Sequence, residues 1–246
     1  MGYTFATGSM EFLTVSEGTM TDRSSLAAIT TLVFDFDGTL VDSGAIKKAA
    51  FMTALGAGVA VDRDVCERAY ATHGTINRVR QLALSFTDIY SRTPSAAECD
   101  TLAGAYTEYF REHMNEVVLF AGLPEFHVQF GDWYPFMISS NAPQSEIVEL
   151  CVKLGIAEYF TRVYGYPVAK ADALRQILAE LEIASESLLY VGDRVEDGMV
   201  ADSVGVPFLR LDPGFHSPAS DEGILRSLAE LADVLTHPRL DTATAQ

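Results

Sequence analysis

Apolar residues along the chain fall into two recurring patterns: short continuous runs, and longer stretches at helical spacing. Residues 30–34 (Thr-Thr-Leu-Val-Phe) form the first continuous run, β-branched and aromatic, which predicts a strand buried on both faces. Similar runs at 134–140, 162–164, 188–191 and 207–211 predict further strands. Helical periodicity fills the intervals over 125–130, 144–154, 171–181 and 222–235. Strands alternating with helices predict an α/β fold, a Rossmann-like and mostly parallel sheet flanked by helices on both faces.

Residues 41–120 break this alternation. Asp42 and Ser43 are placed to cap a helix with apolar positions Ile46, Ala50 and Leu55, ending near Gly56 and Gly58. Asp62 is placed to cap a second helix that reaches Ala71 and stops by Gly74. Ile76, Val79, Ala83 and Phe86 follow at helical spacing. Ser95-Ala96-Ala97-Glu98, after Pro94, is a capping-box pattern opening a helix to Asn115. The block holds no strand pattern. It reads as an all-helical domain, 41–120, inserted into a core made of 26–40 and 121–246. Residues 1–25, rich in Thr, Ser and Gly, are expected to be a flexible extension without the basic start and apolar block of a signal peptide.

Composition narrows the partners. Hydrophobic residues at 48% against 21% charged support a substantial core and argue against global disorder. The 17 Lys+Arg against 34 Asp+Glu give a net charge of −17, which argues against nucleic acid or an anionic membrane surface as partner. No apolar run approaches bilayer length. Cys66, Cys99 and Cys151 are odd in number and lack metal-ligand spacing, which suits a reduced, cytoplasmic setting with buried thiols. His113, His127, His216 and His237 form no ligand pattern, and Trp133 reads as packing. The expected state is a monomer or a homodimer.

The chemistry gathers at strand ends, where ligands bind in open parallel sheets. Asp35 and Asp37 close the first strand, Ser140 the second, and Asp193 with Asp197 the one at 188–191, while Lys170 opens a helix. Two-residue periodicity sends Asp35 and Asp37 to one side and Phe36 to the other. Acids so placed repel unless a cation sits among them, and clustered oxygen ligands suit Mg2+. The ion would keep Asp35 ionised as a nucleophile, and Asp37 is expected to hold a proton for a leaving group. Ser140 and Lys170 add a hydroxyl and a positive charge for a phosphoryl group.

The order Asp35-Phe36-Asp37-Gly38-Thr39, Ile138-Ser139-Ser140-Asn141, Val168-Ala169-Lys170-Ala171-Asp172 and Gly192-Asp193-Arg194-Val195-Glu196-Asp197 resembles the four motifs of the haloacid dehalogenase superfamily. The resemblance runs from Thr31 to Leu211. It implies that Asp35 attacks phosphorus to form an aspartyl-phosphate, and that Asp37 protonates the alcohol and then activates water. It also implies Mg2+ held by Asp35, the Asp37 backbone carbonyl and Asp193, with Asp197 acting through water. Ser140 is preferred to Ser139 because it directly precedes Asn141. Dehalogenating relatives lack the second aspartate, so Asp37 favours phosphate monoesters.

The insertion resembles the helical cap of the phosphoglycolate phosphatase and β-phosphoglucomutase branch. The implied activity is a phosphatase acting on a small phosphorylated metabolite, with a phosphomutase as the alternative and a non-catalytic binding module as a third reading. Thr39 and Asn141 in the core, and Lys47, His73 and Arg78 in the insertion, are the candidate substrate contacts. Arg78 and His73 fit ordinary cap-surface roles almost as well. Lys47 and Lys48 point about 100° apart on a helix, so one of them at most faces the cleft. Asp197 also fits a helix N-terminus, and Arg194 a surface ion pair with Glu196 or another acid beside the cleft.

Overall fold

A computed structural model describes residues 26–235 apart from 57, 59, 74, 75, 215, 216 and 219–222. The expectations for residues 1–25, Gly74, His216, Glu222 and His237 therefore lie outside the described residues.

Five parallel strands form the central sheet: β1 (Thr31–Phe34), β4 (Phe136–Pro143), β5 (Phe160–Tyr166), β6 (Leu188–Gly192) and β7 (Phe208–Arg210). Their spatial order is β5-β4-β1-β6-β7. β1 lies in the middle, pairing with β4 through Leu32↔Phe136 and with β6 through Leu32↔Leu189. Alternation along β1 explains why its sequence is apolar throughout. Leu32 and Phe34 enter one hydrophobic core, and Val33 enters a second core with Met137, Leu188 and Tyr190. Helices cover both faces: α5 (Leu123–Phe130), α6 (Gln144–Lys153), α7 (Lys170–Leu181), α8 (Val195–Val204) and α9 (Leu228–Val234).

Between β1 and β4 the chain makes four helices, α1 (Gly44–Ala54), α2 (Arg63–His73), α3 (Arg78–Tyr90) and α4 (Ala96–His113). α1 packs against α4, and α2 against α3. The Ser95 capping box forms: its hydroxyl accepts from the Glu98 N–H, and the Glu98 carboxylate accepts from the Ser95 N–H at 2.8 Å. Asp62 accepts from the N–H groups of Asp64 and Val65 ahead of α2.

Several expectations need correction. Residues 41–120 do contain strands: β2 (Val41–Asp42) pairs antiparallel with β3 (Val118–Leu119) where the helical segment leaves and rejoins the sheet. Two residues are too few to leave an alternating pattern in the sequence. β4 starts at Phe136 rather than 134, since Pro135 has no N–H to give a ladder. The last helix is shorter than expected and starts at Leu228, behind a Ser227 cap. Ser43 precedes α1 without capping it; its hydroxyl goes elsewhere, as described below. Cys66 and Cys151 are buried and Cys99 is half-buried, all three as free thiols, and burial pushes Cys151 up to about 12. Among the described residues no helix is long and apolar enough to cross a membrane.

Candidate active site

The parallel strands end together, and the polar residues that close them surround one cavity of about 140 Å³. Asp35 follows β1 directly, its N–H donating to Val191 O at 2.8 Å, so β6 fixes its position. The chain then turns through Gly38 at φ +87°, a conformation that side chains resist. A Cβ there would lie 2.6 Å from Asp193 Oδ2. At Gly192 a Cβ would meet Asp197 Oδ2 at the same distance. Glycine at 38 lets the first loop close on Asp193, and glycine at 192 lets Asp197 fold back over the end of its own strand.

Asp35, Asp193 and Asp197 are all buried, and each offers an oxygen within 4.8 Å of the other two. Burial pushes Asp35 up to about 7, reinforced by the charges of Asp197, Asp193 and Asp37 and opposed by Lys170. Burial and the Asp197 charge likewise push Asp193 up to about 6. Asp35 Oδ1 is sealed from solvent and accepts no hydrogen bond, although Lys170 Nζ lies 3.0 Å away as an ion pair. Three buried carboxylates that can turn an oxygen each toward one point are a donor set of the kind that holds a metal ion. The Asp37 carboxylate is not part of this group.

Lys170 opens α7 and reaches Asp197 Oδ1 at 2.6 Å as well as Asp35. Burial lowers the pKa of Lys170, but Asp35, Tyr190 and Asp197 more than offset this and hold the ammonium charged. Asp197 is also bonded by the Tyr190 hydroxyl at 3.2 Å and by the Arg194 N–H at 3.3 Å. It therefore caps the start of α8 and belongs to the acid cluster at once.

Asp37 reverses the expected protonation. Burial favours its neutral form, but Lys47 Nζ at 2.5 Å from Oδ2 and the Ser43 hydroxyl at 2.6 Å from Oδ1 outweigh burial. They hold its carboxyl below the ordinary aspartate value, so without a bound cation Asp37 is the ionised acid and Asp35 the protonation-prone one. A lysine from α1 causes this: Lys47, expected as a substrate contact, pairs with Asp37.

Ser140 and Asn141 line the cavity, and Ser140 Oγ accepts from the Ala142 N–H at 3.2 Å, leaving its proton to donate. The Ser139 hydroxyl is buried without a hydrogen-bond partner, and the Ser139 carbonyl accepts from the Tyr190 hydroxyl at 3.2 Å. Thr39 does not line the cavity; its hydroxyl donates to Asp193 Oδ1 at 3.3 Å and steadies that acid. Of the candidates on the helical segment, Lys47 and Arg78 reach the cavity and His73 does not. His73 pairs with Asp88 at 2.7 Å. Lys48 turns away to Glu67, and Arg194 lines the cavity with Asp193, not Glu196, 3.8 Å off.

Sequence reasoning missed Ser43, Tyr70, Gln81 and Tyr106 on the wall and Glu146 behind it. Glu146 left one signal: it shares a face of α6 with Leu150, and a charge on an apolar stripe needs a partner.

Phosphoglycolate phosphatase of Photorhabdus laumondii is 27% identical over 233 residues, 87% of this chain and 96% of that one. The Cereibacter sphaeroides protein of that name is 26% identical over 84% of this chain and 97% of its own. Among solved structures, a haloacid dehalogenase-like family protein of Streptococcus pneumoniae superposes with TM-score 0.67 at 24% identity, over 85% of this chain and 99% of that one. CbbY from Rhodobacter sphaeroides, solved in complex with phosphate, gives 0.66 at 24% identity over 84% and 99%. With the sheet order and the strand-end acids in place, and the model of the haloacid dehalogenase-like hydrolases matching residues 32–211, the chain belongs to that family.

Proposed function

We propose that the chain is a Mg2+-dependent phosphatase that hydrolyses a small phosphomonoester through a phosphorylated Asp35. The observation that carries this reading is the meeting of Asp35, Asp193 and Asp197 within 4.8 Å, beside Lys170 and opposite Asp37. Asp35, Asp193 and the Asp37 backbone carbonyl would hold the ion, with Asp197 behind them. When bound, Mg2+ supplies positive charge that keeps Asp35 ionised and offsets the phosphoryl oxygens.

The chain's own groups do the rest. The Asp35 carboxylate attacks phosphorus as the bond to the alcohol oxygen breaks, giving an acyl phosphate on Asp35. Lys170 and the Ser140 hydroxyl bind the phosphoryl oxygens. Negative charge arriving in the cavity competes with Asp37 for Lys47 and favours a proton on Asp37, which then passes to the departing alcohol. Ionised again, Asp37 takes a proton from the water that attacks the acyl phosphate, releasing inorganic phosphate and regenerating Asp35. Residues 41–120 act as a lid on the β2–β3 ladder, bringing Lys47, Tyr70, Arg78 and Tyr106 over the cavity.

Phosphate release from a panel of small phosphomonoesters with Mg2+, lost in Asp35→Asn, is the expected result. No release from any member would overturn the reading. Interconversion of sugar phosphates without net phosphate release would assign a phosphomutase instead.

A further inference from the structure

We propose that the leaving-group end of this cavity is built for a neutral, hydroxyl-bearing alcohol and against one that carries a carboxylate. The inference rests on the phosphatase reading above and adds the chemical class of the departing group.

Four cationic side chains line the cavity, and each already has a carboxylate beside it. Lys170 and Arg194 stand next to the acid cluster, at the phosphoryl end, and Lys47, beside Asp37, answers the charge that arrives with the phosphoryl group. The remaining wall cation, Arg78, pairs with neither the acid cluster nor Asp37, and it is the group a second anion would seek. Its Nη2 lies 2.6 and 2.8 Å from the two oxygens of Glu146, on α6. Its Nη1 donates to Thr107 Oγ1 at 3.2 Å, and its guanidinium lies 4.0 Å over the Tyr106 ring. Glu146 is 8% exposed.

A substrate carboxylate drawn to Arg78 would have to share the guanidinium with Glu146, whose two oxygens already hold Nη2, while the unpartnered Nε is sealed from solvent. It would also face the like charges of Glu146 and of exposed Asp42, which lines the same cavity. A hydroxyl brings neither penalty. The wall also holds polar groups suited to one: Tyr70, Asn141 and the buried Gln81, whose Nε2 has no hydrogen-bond partner. The pair selects by repulsion as well as by contact. This separates the chain from its curated relatives named for phosphoglycolate, whose leaving group is a carboxylate-bearing alcohol.

Matched substrates read this directly. With the full chain and Mg2+, kcat/KM is measured for 2-hydroxyethyl phosphate against 2-phosphoglycolate, and for glycerol 3-phosphate against 3-phosphoglycerate; each pair differs by CH2OH for carboxylate. The expected result is at least a tenfold preference for the hydroxyl member of both pairs. A smaller preference, or one for the carboxylate member, overturns the inference while leaving the phosphatase reading intact. No turnover of these four or of p-nitrophenyl phosphate overturns both. In Glu146→Gln the preference should shrink at least tenfold through KM of the carboxylate member, and Glu146→Asp should retain it. An unchanged ratio in a folded Glu146→Gln also overturns it. The wild-type ratios decide the question by themselves if that variant fails to fold.

Discussion

Replacing Asp35 with asparagine should stabilise the metal-free protein while abolishing catalysis, and the size of the effect follows from the acid cluster. Burial and three neighbouring carboxylates raise the Asp35 pKa from the ordinary 3.8 to about 7. In the unfolded chain Asp35 releases its proton near 3.8; in the folded, metal-free chain it keeps that proton to about 7. Between those values the folded state binds a proton that the unfolded state has lost, so stability falls as pH rises and levels off above about 7. About three pKa units at roughly 1.4 kcal/mol each set an upper bound of about 4 kcal/mol. Water entering the cavity and partial relaxation halve this to about 2 kcal/mol. For a chain of this size that is about 4–8 °C in Tm. Asparagine removes the penalty, and Lys170 keeps Asp197 as its partner at 2.6 Å. Thermal unfolding in EDTA from about pH 5 to about pH 8 should show the variant's advantage widening with pH and flattening above about pH 7. Mg2+ should stabilise the wild type far more than the variant. An advantage that does not change with pH, or a variant less stable throughout, would refute the reasoning.

Three further outcomes follow from the same geometry. Gly38→Ala places a Cβ 2.6 Å from Asp193 Oδ2 at a positive φ, at about 1–2 kcal/mol for the backbone alone; calorimetry should show at least tenfold weaker Mg2+ binding. Lys47→Met removes the partner that lowers the Asp37 pKa, so the limb of the kcat/KM–pH profile that Asp37 sets should move to higher pH. Ser95→Ala removes the capping box of α4, far from the cavity, and should lower stability by about 1 kcal/mol with turnover unchanged.

What the sequence disclosed depended on whether a feature was local. β1 and β6 were legible because each is buried on both faces and reads as an unbroken apolar run. The Ser95 capping box was legible because both partners lie within one turn. The strand-end acids were legible because a parallel sheet brings its carboxyl ends together whatever the length of chain between them. Side chains that meet across the fold were not. Thr39 bonds Asp193 from 154 residues away and Arg78 holds Glu146 across 68, and no periodicity encodes either pairing. Ser43 looked like a helix cap because its position before α1 is right for one; the nearby Asp37 carboxylate is the stronger acceptor and took its hydroxyl. His73 looked like a substrate contact for want of any sign that Asp88, one helix later, would bind it.

Phosphoryl transfer to the Asp35 carboxylate is the step on which the proposed function depends. Acid-quenched peptide mapping by mass spectrometry, on Asp37→Asn protein mixed with Mg2+ and p-nitrophenyl phosphate, tests it most directly, since a good leaving group needs no acid and the missing base slows release. A phosphoryl group on the peptide carrying Asp35, and absent when Asp35 is also replaced, is the predicted result. Phosphoryl transfer to any other side chain, or release of nitrophenol with no phosphorylated peptide accumulating, would contradict it.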